Sequence, residues 1–368
     1  MTTDYDAKFM LEAILQGEKG RFTAAPNPWV GAVVQKNGNI IGKGFHKLAG
    51  TPHAEIMAFQ DAKDDLKGAT LYVTLEPCCH FGRTPPCTQA IIKAGIKRVV
   101  IALTDPDPKV SGKGILELKN ANIETVVGVE EEKARSSLEP YLFQRKYKRP
   151  FTVLKAAITI DGKVAAEDGT SKWITGDETR LDAHLLRAES QAILVGSRTA
   201  LHDMPTLTVR HPDLPDHKQP LRVVLDRDGL LEREGALFNG HGRTLIVTGK
   251  NVSPHVEAKL KECHTEVLKV SENGEELNLD EVLTFLAEQG VIQLLVEGGA
   301  QTFSTFIKKE KSLAQRLVIY MAPKILGANG LSLFPDLGIT NINDAYLLNL
   351  IKSRQIGSDV RLDFVFKT

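Results

Sequence analysis

Three short stretches hold a histidine, a glutamate and two cysteines in an order suited to metal-assisted hydrolysis. Pro52-His53-Ala54-Glu55 comes first, Glu76-Pro77-Cys78 follows, and Pro85-Pro86-Cys87 completes the set. One imidazole and two thiolates make three zinc ligands. Three protein ligands leave the fourth tetrahedral position open to water, as in catalytic rather than structural zinc sites. Cys79 or His80 would close the sphere if either became a fourth ligand, and the zinc would then be structural. Two thiolates cancel the charge of the ion, so water there is acidified less than in an all-histidine site. A nearby carboxylate then has to move the proton. Glu55, two residues after His53 at a helix start, faces the same way and could take a proton from water and pass it to a leaving amine.

A His-x-Glu element, a later Pro-Cys element and a glutamate outside the ligand set form the pattern of zinc deaminases. The elements that must position it read as α/β. Residues 4–20 have the apolar spacing of an amphipathic helix, and 30–34 read as a strand turning through Lys36-Asn37-Gly38-Asn39 into a hairpin. A helix is expected from about His53 to Lys63, a strand over 70–75, a helix over 88–94 and a strand over 98–102, fitting right-handed crossovers around one sheet. Arg145-Lys146-Tyr147-Lys148-Arg149-Pro150 is basic, ends in proline and has no apolar period. It reads as a solvated connector, dividing the chain into domains 1–146 and 147–368.

In the second part strands are expected at 151–160, 192–195, 221–225, 244–248, 292–296 and 316–321, with a helix over 177–190. No Gly-x-Gly-x-x-Gly follows a strand there, so a Rossmann dinucleotide site is unsupported. Two strand-to-helix junctions instead offer free backbone N–H groups for phosphate: Val195-Gly196-Ser197-Arg198-Thr199 and Val296-Glu297-Gly298-Gly299-Ala300-Gln301-Thr302-Phe303. Lys155 before Asp161-Gly162, the run Ser171-Lys172-Trp173, Arg187, and Asp203-Met204-Pro205 leading to Leu207 and Arg210 form further clusters of acids, bases and arginines. Arginine suits a bidentate grip on phosphate.

Composition sets the outer bounds. At 368 residues the chain is long for one domain, and 42% hydrophobic with 25% charged residues is ordinary for a globular protein. Lysine plus arginine (46) equals aspartate plus glutamate (46), which argues against nucleic-acid binding by bulk charge. No apolar run approaches the roughly 20 residues of a membrane span. The polar, acidic N-terminus lacks the features of a signal peptide, and a cytoplasmic protein is expected. Of four cysteines three crowd at 78, 79 and 87, which suits metal chemistry in a reducing compartment; Cys263 needs no role.

The cysteine spacing is long for a deaminase of free nucleosides. The run Cys79-His80-Phe81-Gly82-Arg83-Thr84-Pro85-Pro86 separates the two ligands, and with Pro26-Asn27-Pro28 and Val30-Gly31 it closely resembles the bifunctional riboflavin-biosynthesis deaminase/reductase family. The second-half clusters resemble the reductase part of the same family. This resemblance implies a cytidine-deaminase-like αβα domain followed by a dihydrofolate-reductase-like α/β domain, with Zn2+ and NADPH as cofactors. It implies zinc on His53, Cys78 and Cys87, Glu55 as proton shuttle, and contacts from Asn27 and the His80–Thr84 loop to a phosphoribosyl pyrimidine. Ser171, Arg187, Leu207 and Arg210 would hold the ribose phosphate, and Glu297 the substrate. Trp173, Thr199, Asp203 and the turn from Gly299 through Ala300, Gln301, Thr302 and Phe303 would line the nicotinamide cofactor, with Ile158 touching it through its backbone. Lys155 and Asp203 would supply or orient protons. Arg227 stands at a further cofactor position, where it would either lose that contact or meet the 2′-phosphate. A homo-oligomer (dimer or tetramer) with a small-molecule substrate is expected, without nucleic acid or membrane. Two rivals share some of these residues: a nucleic-acid deaminase with an appended domain, and a nucleotide sensor with structural zinc.

Overall fold

A glycine-punctuated hairpin starts the first sheet. Strands β1 (Gly31–Lys36) and β2 (Asn39–Phe45) pair antiparallel through Asn37 and Gly38, whose φ values of 52° and 85° fit the turn that matches strand twist. Strand β3 (Thr70–Val73) pairs antiparallel with β1, and β4 (Arg98–Ile101) and β5 (Glu124–Val127) continue in parallel, giving the order β2-β1-β3-β4-β5. Alternation along β1 assigns the two faces. Gly31 abuts helix α1 (Asp4–Glu18), where an added Cβ would fall 1.9 Å from the Ala13 carbonyl oxygen. Ala32 and Val34 face the other way and pack with Ala54 and Ala58 of α2 (Ala54–Asp61), Ile91 of α3 (Cys87–Lys93) and Leu118 of α4 (Lys113–Asn120). The unit is therefore an αβα sandwich. Helices α5 (Glu131–Ser137) and α6 (Glu139–Tyr147) complete it.

The structure is a computed structural model, and it describes residues 4–82, 84–214, 218–231, 236–239, 242–262, 265–308 and 311–366; Arg83 and Cys263 lie outside them. The chain divides into units 1–149 and 150–368. The stretch read as a connector is partly helical, since α6 runs to Tyr147 and ends at Lys148 in the left-handed region. Its missing apolar period has a local cause: Arg145 and Arg149 lie over the rings of Tyr141 and Phe143, so cation–π contacts replace aliphatic packing.

The second unit is built on nine strands. Seven run parallel, in the order Glu266–Val270, Thr244–Gly249, Leu221–Leu225, Ala192–Gly196, Gln293–Val296, β6 (Phe151–Thr159) and Arg316–Ala322. An antiparallel hairpin, Asp359–Phe366 and Leu348–Ile356, closes one edge. The parallel strands are continuous apolar runs because both faces are covered. Helix α7 (Asp177–Ala188) has no side-chain cap of its own. The hairpin supplies one from outside: Asp359 accepts from the Gly176 N–H at 2.8 Å and the Thr179 hydroxyl at 2.7 Å. Asp182 of α7 accepts from the Tyr320 hydroxyl at 2.7 Å and Arg361 at 2.8 Å, so the helix is fixed at two levels.

Gly44 tests the first unit. An added Cβ would fall 2.3 Å from Ala58 N and 2.4 Å from Ala54 O, the backbone of the helix that carries Glu55. Gly44→Ala is expected to destabilise the first unit by about 1–3 kcal/mol and to leave the second unit's unfolding unchanged. Thermal unfolding followed by calorimetry checks this.

Candidate functional site

Two helix starts meet at one point in the first unit. His53 is the N-cap of α2, extended at φ −72° and ψ 167°, so its side chain leaves the helix instead of running along it. Cys87 is the first residue of α3, and Cys78 arrives from the segment after β3. His53 Nδ1 lies 3.5 Å from Cys78 Sγ and 3.3 Å from Cys87 Sγ, and the three ligand atoms are all within 4.8 Å of one another. A tetrahedral zinc with ordinary bond lengths holds nitrogen and sulfur about 3.5 Å apart, so the donor set fits that ion. The other ring nitrogen, Nε2, lies 3.3 Å from the Thr84 hydroxyl, which fixes the ring and the tautomer.

The hydrogen bond from Cys87, then His53, pulls the Cys78 thiol down to about 4, and the same bond pushes Cys87 up. The partially positive helix starts favour thiolate there. Cys79 points elsewhere, its thiol 3.9 Å from the Lys109 carbonyl, and His80 is exposed. Among the described residues only His53, Cys78 and Cys87 form such a cluster. Glu55 is 3% exposed, and burial raises its carboxyl pKa despite the neighbouring His53.

These groups open on a cavity of about 390 Å³. Asn27, His80 and Thr84 line it, as does His46, which the sequence reading missed. The Asn27 amide lies 3.0 Å from His46 Nε2, while His46 Nδ1 faces the Pro52 carbonyl at 3.2 Å. Burial lowers the His46 pKa, so the ring stays neutral and accepts from Asn27. The far wall was also missed. It consists of Asp105, Tyr141 and Arg145, the last from the supposed connector. Burial pushes the Asp105 carboxyl up to about 6, and the buried Arg145 Nε has no hydrogen-bond partner among the described residues.

In the second unit the functional side chains gather at the carboxyl ends of neighbouring parallel strands, where ligands of open α/β sheets bind. Leu154 pairs with Val296, so Lys155 and Glu297 follow side by side. Arg187 of α7 forks onto Glu297 at 3.0 and 2.6 Å and donates a third bond, at 3.0 Å, to the Thr208 carbonyl. Burial works to raise the Glu297 pKa, but Arg187 and then Lys155 hold it down at about 2. Burial lowers the Lys155 pKa against the pull of Glu297. Arg210 is exposed and bonds the Thr208 hydroxyl at 2.8 Å and that of Thr206. Leu207 is 2% exposed and takes φ 49°.

The two strand-to-helix junctions lie together. A Cβ at Gly196 would meet the Thr302 hydroxyl at 2.6 Å, and one at Gly299 would meet the Thr199 hydroxyl at 3.5 Å. Ala300 and Gln301 continue the turn towards the surface, whereas Phe303 is fully buried in the core and its N–H is spent on the Gly299 carbonyl at 3.1 Å, so this residue offers a cofactor no accessible contact. Ile158 is likewise buried. Trp173 is 63% exposed with the Arg180 guanidinium 4.4 Å from its ring centroid, and Ser171 lies two residues before it. Asp203 bonds His202 at 2.8 Å. Arg227 is spent on Asp228, at 2.9 and 3.0 Å.

Comparison with known proteins places both units. Residues 3–103 match the cytidine and deoxycytidylate deaminase zinc-binding region, and residues 150–362 match the RibD C-terminal domain. The riboflavin biosynthesis protein RibD of Chlamydia muridarum is 45% identical over 359 residues, covering 97% of this chain and 95% of that protein. Acinetobacter baumannii RibD, form 1, superposes with a TM-score of 0.89 at 34% identity over 99% of both chains. A Thermotoga maritima structure described as a diaminohydroxyphosphoribosylaminopyrimidine deaminase/5-amino-6-(5-phosphoribosylamino)uracil reductase gives 0.84 at 37% identity, again over 99% of both. With a deaminase-type metal cluster in one unit and a reductase-type fold in the other, the chain belongs to the RibD family of bifunctional riboflavin-biosynthesis enzymes, a zinc-dependent deaminase joined to a reductase.

Proposed function

We propose that the chain deaminates 2,5-diamino-6-(5-phosphoribosylamino)pyrimidin-4-one and then reduces the ribosyl group of the product to a ribityl chain. The observation that carries the first step is the buried Glu55 beside a three-atom ligand set with no fourth side chain among the described residues. Zinc held by His53, Cys78 and Cys87 supplies Lewis acidity that makes water nucleophilic at neutral pH. Glu55 takes the proton as water adds to the amine-bearing ring carbon and delivers it to the departing nitrogen, so that ammonia leaves. Its raised proton affinity suits a group that must both accept and donate. Thr84 orients His53, while Asn27, braced by His46, meets the pyrimidine.

For the second step NADPH, when bound, would supply the hydride needed to reduce the open-chain imine at the former anomeric carbon. Gly299 to Thr302 and Thr199 offer the cofactor backbone N–H groups and a hydroxyl at one junction, with Ile158, Trp173 and Asp203 around it. Ser171, Leu207 and Arg210 hold the ribose phosphate, and Arg187 and Glu297 brace them. Lys155, its charged form disfavoured by burial, gives up a proton more readily than an exposed lysine and is the proton source we favour. The exposed edge strand Leu348–Ile356, with Leu350 at 54% and Ile351 at 50% exposure, supports a homo-oligomer, and two metal-ready thiols support a reducing, cytoplasmic setting.

Three outcomes test this reading. Glu55→Gln keeps its zinc, measured by metal analysis, but loses at least about a hundredfold in ammonia release; a full rate removes the shuttle. Arg210→Ala raises the reductase KM about tenfold or more, read by NADPH absorbance, because a charge-assisted contact to phosphate is lost. Arg187 is a poorer probe, since its removal leaves Glu297 buried without its fork at a cost on the order of 3 kcal/mol. Sedimentation at micromolar concentration is expected to give a dimer or larger; a monomer overturns the oligomer.

A further inference from the structure

Helix α7 presents two residues three apart, and hence on one face, to the segment that ends in Arg210. Arg187 Nη1 donates to the Thr208 carbonyl at 3.0 Å, and one turn earlier His184 Nδ1 accepts from the Arg210 backbone N–H at 3.1 Å. Gln219 adds a two-way bond to the Val209 backbone, at 2.8 and 3.2 Å. The segment needs such fixing. Residues 204–210 belong to neither helix nor strand, and Met204 and Leu207 take φ 42° and 49°, a region that residues with a side chain seldom adopt. Strained backbone persists only where its surroundings over-determine it.

We propose that His184 is a positioning residue of the reductase step, which fixes the Arg210 backbone through an unprotonated Nδ1 and so aims the guanidinium at the substrate phosphate. The inference rests on the phosphate role given to Arg210 above. An Nδ1 that accepts a backbone N–H leaves the ring proton on Nε2, and a protonated ring would have no acceptor to offer. The surroundings enforce the neutral form. Burial, then the charges of Arg187 and Arg210, pull the His184 pKa down to about 4, with Lys155 adding to them and Glu297 opposing. At neutral pH the acceptor is therefore always present. His184 thus converts three nearby cations, which would repel a charged partner, into the condition for a hydrogen bond.

The test uses the full-length enzyme with zinc and compares His184→Phe, His184→Asn and Arg210→Ala. Phenylalanine fills the same space without an acceptor, and asparagine places Oδ1 where Nδ1 stood. Reductase KM and kcat are measured on the deaminated phosphoribosylaminouracil, and NADPH affinity is measured by fluorescence as a readout of the folded unit. A single hydrogen bond is worth up to about tenfold, so His184→Phe is expected to raise KM about five- to tenfold with kcat within about twofold and NADPH affinity unchanged. His184→Asn is expected to return KM to within about threefold of the parent. If Arg210→Ala raises KM and His184→Phe does not, the His184 role is overturned and the phosphate reading stands. If Arg210→Ala leaves KM unchanged, the phosphate reading itself falls. Equal losses of kcat and NADPH affinity in both His184 variants would mean a general structural role and overturn the proposal.

Discussion

One imidazole nitrogen facing two sulfurs at 3.3 and 3.5 Å is the contact around which the first unit is organised. To bring those atoms together, two helices must start at the same place and a strand must deliver a third residue there. The glycines show how tightly this is arranged. Gly42 and Gly44 let β2 lie directly on the backbone of α2, and an added Cβ at Gly114 would fall 2.2 Å from the Pro77 carbonyl, next to Cys78. Glu76 then locks the approach, its carboxylate accepting from the N–H groups of Asp105, Gly112 and Ile115 at 3.3, 2.9 and 3.2 Å. Backbone contacts thus hold the ligand set in place. The position of Glu55 follows from the same helix start.

The second unit solves a different problem, the storage of unlike charges under cover. Lys155 and Glu297 stand on neighbouring strands, Arg187 closes on them from α7, and α7 is in turn held by Asp182 and Asp359. A buried carboxylate without its fork would be costly, which makes the whole assembly depend on the helix staying in place. The C-terminal hairpin is therefore part of the site although none of its residues reaches the substrate side. It caps the helix that carries the charges.

Much of this was legible because the chemistry is local in the chain. His53 and Glu55 are two residues apart, Cys87 opens a helix, and the parallel strands are plain apolar runs. What escaped is what depends on distant segments. Asp105, Tyr141 and Arg145 reach the deaminase cavity from elements that lie after the zinc residues and carry no motif of their own. The strand Asp359–Phe366 alternates Asp359, Arg361 and Asp363 with Val360, Leu362 and Phe364 as a strand with one wet face would, yet Asp359 and Asp363 are buried. Arg361 is paired with Asp363 at 2.9 and 2.7 Å and with Asp182, so its charges are internal. Leu207 and Phe303 show the converse: both lie in motif-like segments, yet both are buried in the core.

Counting charges around the reductase cluster links the parts. Lys155, Arg187 and Arg210 contribute three positive charges when Lys155 is protonated, Glu297 contributes one negative, and His184 is neutral. The sum is two positive charges, which matches a phosphate monoester carrying about −1.5 to −2 at neutral pH. Arg187 has three donor contacts committed to Glu297 and Thr208, so it serves mainly as a brace, and the exposed Arg210 is the side chain left to meet the anion. If His184 were charged, the excess would grow by one and the backbone bond that fixes Arg210 would be lost at the same moment. Lys155 beside Glu297 is tolerable because the carboxylate offsets part of what burial costs the ammonium.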